Sequence, residues 1–184
     1  MIGFGERNEE LGEHYTFLVG LTDNLDHELR LYVAAAIEGE PEQFIDYGAY
    51  PESVRGNIEG SPELQDMLLS SYPVFASEED IYEIAFDGYV LFMERDESYT
   101  VGDDYEECEG RYLVRLTKSR LMDDLDHYSP FVGTDWPGLL THYGVYCEDH
   151  LVDVVTSVEP RIRKLGAEEI SARGFGFIVG DERE

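Results

Sequence analysis

The chain has 184 residues, 42% of them apolar and 12% aromatic, with 41 Asp and Glu against 13 Lys and Arg for a formal net charge of −28. A chain this long buries a core without staples, and its apolar content is too high for a disordered acidic tail. The charge opposes nucleic-acid phosphate and anionic membrane and attracts cations or a basic partner.

The charge is unevenly placed. Residues 1–110 hold 28 acids against four Arg and no Lys, a net of −24, whereas residues 111–184 hold 13 acids against nine bases, a net of −4. No apolar run reaches the ~18 residues of a transmembrane helix, and residues 1–13 lack the basic-then-apolar order of a signal peptide, so a cytoplasmic protein is expected. Cys108 and Cys147 do not resemble a disulfide framework and are expected as free thiols.

The composition and pattern predict one α+β domain over 1–184, with a helical acidic region at about 22–72 and a sheet-rich region at about 80–180. The sheet is expected to be mixed and largely antiparallel, of about five to seven strands, with helices on one face. In chain order, His14 to Leu21 reads as a strand. Asn24 to Glu38 reads as a helix, because Leu25, Leu29, Val33 and Ile37 recur every four residues. Short helical pieces follow from Pro41 to Tyr72, and Ser61-Pro62-Glu63 is a good helix opening, with a capping hydroxyl and proline at the first helical position.

Residues 80–95 predict a hairpin around Asp87-Gly88, a dipeptide suited to the positive φ of a type I′ turn. Residues 96–110 read as an acidic loop, Arg111 to Thr117 as a strand and Ser119 to His127 as a short helix. A second hairpin is expected from Thr141 to Thr156, then a basic helix near Pro160 to Leu165 and a last strand from Arg173 to Val179.

Arg173-Gly174-Phe175-Gly176-Phe177-Ile178 resembles the RNP1 strand of the RNA-recognition-motif family, which stacks bases on exposed aromatics, and Phe17 to Leu21 is loosely similar to its RNP2 partner. The resemblance implies RNA binding. The order and spacing of that fold are missing, Gly180 replaces the last aromatic of the motif, and the net charge repels phosphate, so no nucleic-acid partner is expected.

His142, Cys147, His150 and Asp153 offer metal-ligand chemistry, but the odd spacing of His142 and Cys147 sends them to opposite strand faces and Cys-x-x-His has no second half. Asp123, Asp126 and His127 share a helix face at spacings that suit a cation or an acid–base pair. The acidic loop lacks EF-hand register, and neither a Gly-x-Ser-x-Gly elbow nor a phosphate loop occurs. No cofactor or metal is therefore expected, and no catalytic residue is singled out.

What remains is the acidic surface with its interleaved tyrosines: Glu78, Glu79, Asp80, Tyr82, Asp96, Glu97, Tyr99, Asp103, Asp104, Tyr105, Glu106, Glu107 and Glu109. Spaced carboxylates mimic a line of phosphates, and tyrosines supply rigid contact area. This pattern points to a non-enzymatic inhibitor that occludes a basic nucleic-acid-handling protein, such as an immunity protein for a nuclease toxin or an anti-restriction or anti-CRISPR DNA mimic. Two alternatives stand beside it. One is salt adaptation in a halophile, suggested by two lysines against 11 arginines; the other is a small metal-dependent hydrolase using the His and Asp clusters.

Overall fold

The computed structural model describes residues 15–40, 45–100, 102, 104–129 and 138–175. They divide into two compact units, one of residues 1–36 with 76–184 and one of residues 37–75 inserted within it.

In place of the one mixed sheet of five to seven strands expected from the sequence, the larger unit is built on two antiparallel sheets, which with the helices make an α+β fold. β1 (Thr16–Asp23), β2 (Glu28–Glu38), β3 (Val74–Asp87) and β9 (Arg161–Lys164) form a four-stranded sheet in the order β1-β2-β3-β9. β4 (Leu91–Asp96), β5 (Glu107–Gly110), β6 (Leu113–Lys118), β7 (Thr141–Tyr146) and β8 (His150–Thr156) form a five-stranded sheet in the order β4-β8-β7-β6-β5. Alternate residues of both sheets meet in one core: Leu29, Leu31 and Val33 from β2, Ile84 and Phe86 from β3, Tyr143 and Val145 from β7, Val152 and Val154 from β8. The opposite face of the four-stranded sheet buries Tyr32, Ala34 and Ile81 with Leu165, and Ile170 of helix α4 (Ala167–Arg173) packs there with Phe175.

The predicted N-terminal helix is a strand, and the helical acidic region loses its first element. β2 occupies the place of the helix expected over Asn24 to Glu38. Its buried residues run continuously because each face meets a different core cluster. In such a strand a fourfold apolar recurrence coincides with a twofold one, and Leu29, Val33 and Ile37 satisfy both. Leu25, the first member of the helical pattern, is 99% exposed in the turn between β1 and β2. His27 makes that turn with φ 57°, and Asn24 Oδ1 accepts from the Asp26 and Glu28 amides.

Asp87-Gly88 is a turn, with Gly88 at φ 111°, but not a hairpin. β3 and β4 belong to different sheets. The Val90 amide donates to the Val155 carbonyl at 2.8 Å, so the chain passes from β3 to the β4 edge beside β8. Asp87 anchors the crossing through ion pairs to Arg30 and Arg161. The hairpin expected from Thr141 to Thr156 is present as β7 and β8.

Two C-terminal elements exchange types. The basic helix expected near Pro160 to Leu165 is strand β9, which pairs Ile162 with Ile84. The strand expected from Arg173 begins instead with the last residue of α4; Gly174 terminates that helix in the left-handed region, and residues 176–179 lie outside the described residues. Of the aromatic string, Phe175 packs on Tyr32 with ring centroids 5.2 Å apart.

The inserted unit keeps the helical pieces predicted for it, α1 (Glu52–Glu59) and α2 (Pro62–Leu69). Ser61 caps α2 by accepting from the Leu64 amide at 3.3 Å, with Pro62 at the first turn. Helix α3 (Arg120–Tyr128) in the larger unit is capped by Ser119.

Phe86 is fully buried between the sheets, its ring 6.1 Å from that of Tyr143. Replacing Phe86 by Ala is expected to cost about 3–5 kcal/mol of unfolding free energy through lost burial and a residual cavity. Urea denaturation checks this, and a loss below about 1 kcal/mol would show that the sheets do not close on Phe86.

Candidate functional site

The outer face of the five-stranded sheet carries a line of polar side chains running across its strands, buried but for Arg95 at one end. Arg95 of β4 contacts Asp153 of β8 at 2.6 Å, the other oxygen of Asp153 meets His142 Nε2 of β7 at 3.0 Å, and His142 Nδ1 meets Ser119 Oγ at 2.7 Å. Ser119, His142 and Asp153 are 4%, 3% and 2% exposed.

The strand pattern puts them there. His142 directly precedes Tyr143 on β7, so by alternation it faces outward while Tyr143 and Val145 face the core. Asp153 lies between the core residues Val152 and Val154 and must face outward too. Ser119 follows directly on β6 and precedes α3, with extended backbone at φ −148° and ψ 128°. Its hydroxyl oxygen accepts from the Met122 amide at 3.2 Å, an N-cap bond that fixes the side chain.

An ionised carboxylate can only accept, so the ring nitrogen facing Asp153 carries hydrogen, and a neutral ring then accepts from the Ser119 hydroxyl at Nδ1. Arg95 holds the carboxylate from its other side. Gly144, opposite Asp153 in the register, leaves space for the Tyr146 ring: a Cβ at residue 144 would lie 2.5 Å from it. Burial and the neighbouring Asp153 charge push the Tyr146 hydroxyl well above the ordinary phenol range.

Ser119 and His142 reach a pocket of about 460 Å³ that is also lined by Leu116, Lys118, Met122 and Leu140. Its size is that of small-molecule sites. Beside it, the Glu106 carboxylate accepts from the Arg120 amide, the first N–H of α3, at 3.3 Å. Tyr105 lies between Lys118 and Arg120, 3.9 and 4.4 Å from its ring centre, and its hydroxyl bonds to Asp123.

The acidic and tyrosine residues singled out from sequence fall in three places. Glu78 and Glu79 are exposed on β3, where the Ser77 hydroxyl accepts from the Glu79 and Asp80 amides, and Asp80 pairs with Lys164. Tyr82 packs against the core between the sheets. Asp96 ends β4 and caps the turn of Glu97 and the 90% exposed Tyr99. Asp104 to Glu109 lie at the β5 edge, where Glu107 pairs with Lys118 and Glu109 with Arg115. β4 and β5 are opposite edges of one sheet, four strand spacings or roughly 19 Å apart. Asp103 lies outside the described residues.

The predicted cluster around residue 150 separates. His142 and Asp153 join the relay, His150 pairs with Glu94 and Asp149, and Cys147 turns inward to the core, where it accepts from the Thr16 hydroxyl. Among the described residues no group of three or more His, Cys, Asp or Glu is placed to hold a metal ion. Ser119 was not legible as a site residue; its only local signal is its position as a helix cap. Comparison with protein-family models, with curated proteins and with solved structures finds no match.

Removing Asp153 leaves the buried His142 ring N–H without its acceptor, while Arg95, 38% exposed, turns to solvent, so Asp153→Ala is expected to destabilise by about 1–3 kcal/mol in urea unfolding; a change within about 0.5 kcal/mol would show that Arg95 and His142 do not need it. Burial pushes the Cys147 thiol up to about 12 from an ordinary 9.0. The native state therefore holds a proton that the unfolded chain releases, and this contribution to stability is intact below about pH 9 and is lost as pH rises toward 12. In thiol titration of the native protein at pH 8, exposed Cys108 should react fast and Cys147 only on unfolding; two fast thiols would contradict the placement of Cys147.

Proposed function

We propose that this chain is a binding protein that inhibits a basic, nucleic-acid-handling partner by occlusion, in the manner of a nuclease immunity protein or a DNA mimic. The carrying observation is how its few cations are used. Every described basic side chain is engaged within the chain. Arg30 and Arg161 hold Asp87, Arg95 holds Asp153, Arg163 and Arg173 hold Glu83, and Arg115, Lys118 and Lys164 pair with neighbouring carboxylates. Arg55 bonds backbone carbonyls, while Arg111 and Arg120 lie over tyrosine rings. The surplus carboxylates therefore face solvent outside any ion pair of the described residues, as at exposed Glu78, Glu97 and Asp104.

Such a surface accelerates encounter with a basic partner and repels phosphate, and the exposed Tyr99 offers an anchor that slows release. The inserted unit adds to the same field: residues 37–75 carry eight acids and one Arg. A second reading, adaptation to molar salt, is favoured by the spread of exposed acids over both sheets and the inserted unit.

The test is affinity capture from the source organism's lysate, with nucleic acid digested, at about 0.1 M and 1 M salt. A basic nuclease or other nucleic-acid-binding effector should be recovered at the lower salt and lost at the higher. A combined Glu78→Lys, Glu79→Lys and Asp104→Lys variant, which disrupts no ion pair of the described fold, should weaken that complex at least tenfold. Recovery of nothing basic, or unchanged affinity of the triple variant, would overturn this assignment of the surface.

A further inference from the structure

The relay and its pocket carry chemistry that partner occlusion does not use. Ser119 sits where a strand runs straight into a helix, its hydroxyl hydrogen aimed at a histidine that is itself held by a carboxylate. We propose that Ser119 is a nucleophile for acyl transfer, with His142 as its general base, and that the pocket beside them takes a small activated acyl compound such as a carboxylic ester.

Three observations converge on this assignment. The Oγ to Nδ1 distance of 2.7 Å is within reach for direct proton transfer. The Asp153 contact at Nε2 leaves the Nδ1 lone pair as the proton acceptor, and Asp153, fixed in turn by Arg95, stabilises the ring once it is protonated. The roles of the two ring nitrogens are the reverse of those in the serine proteases, but a base needs one lone pair on the hydroxyl and one N–H on the carboxylate, and either arrangement supplies both. The pocket wall includes both Ser119 and His142, so a bound acyl group would lie beside the pair.

Leu116, Met122 and Leu140 give the pocket an apolar wall for the acyl chain, and Lys118 contributes a positive charge nearby.

The step balances without a metal or an external oxidant. As Ser119 Oγ bonds to the acyl carbon, its proton passes to His142 Nδ1; the bond from that carbon to the leaving oxygen breaks, and the leaving oxygen takes the proton. Water then attacks the acyl-serine, its proton passes through Nδ1 to Ser119 Oγ, and the carboxylic acid leaves. The net reaction is ester plus water to alcohol plus acid.

This inference is independent of the binding reading, and its test needs no natural substrate. The native protein is treated with an alkyl fluorophosphonate, which bonds to an activated serine oxygen as fluoride departs, and the adduct is followed by intact mass and peptide mapping. One adduct on Ser119 is expected, absent from Ser119→Ala and formed about 100-fold more slowly in His142→Gln. Because His142→Gln removes a buried partner and can fail to fold, the wild-type protein unfolded in urea is the second control, and labelling of Ser119 should be lost there. Absence of a Ser119 adduct on the native protein, labelling that persists at the same rate in urea, or a folded His142→Gln variant that reacts as fast as wild type would each overturn the proposal.

Discussion

Apolar packing between the two sheets is the interaction on which the rest of the molecule depends. Leu31 and Phe86 from one sheet and Val152 and Val154 from the other are fully removed from water. Burial on this scale, at about 25 cal/mol per Å² of apolar surface, supplies the cohesion against which like-charge repulsion at the surface acts. β2 sits at the centre of it, because its two faces serve two core clusters and tie the sheet pair to the layer that contains α4. With cohesion located there, the exterior is free to carry a large surplus of negative charge.

The same arrangement orients the polar chemistry. Alternation along β7 and β8 sends Val145 and Val154 inward, so His142 and Asp153 emerge together on the outer face of their sheet, one strand apart. Arg95 reaches them from one side and Ser119 from the other, giving a relay that runs from β4 across β8 and β7 to the cap of α3. Cations are consumed in such local tasks. Glu83 illustrates the rule: it is nearly buried, and Arg163 and Arg173 both converge on it beneath α4. Few positive groups are left for the exposed acids, and the outward field follows from that shortage.

Sequence patterns were most legible where one local rule decided the outcome. Ser61-Pro62 and Ser119 mark helix starts because capping is a short-range bond, and the β7 to β8 hairpin follows from two β-prone runs on either side of a polar turn. They failed where tertiary packing chose between equal local signals. Leu29, Val33 and Ile37 fit both periods, and only burial of both faces makes β2 a strand. Asp87-Gly88 specifies a turn but not which strand the next segment will join, and pairing of β4 with β8 places it in the other sheet. Of the site, His142 and Asp153 were visible as reactive types close in sequence. Their junction with Ser119 and Arg95 was not, because contacts 23 and 58 residues apart depend on strand order rather than on spacing.

An acidic exterior that serves association, as proposed, requires a core that tolerates it without concentrated salt. Urea unfolding at about 0.01 M and 1 M NaCl tests this most directly, since the Debye length falls from about 30 Å to 3 Å between them. The expected result is a folded protein with a cooperative transition at both, more stable at the higher salt. A chain that is unfolded at the lower salt and folds only at the higher would contradict it and make the charge an adaptation to brine.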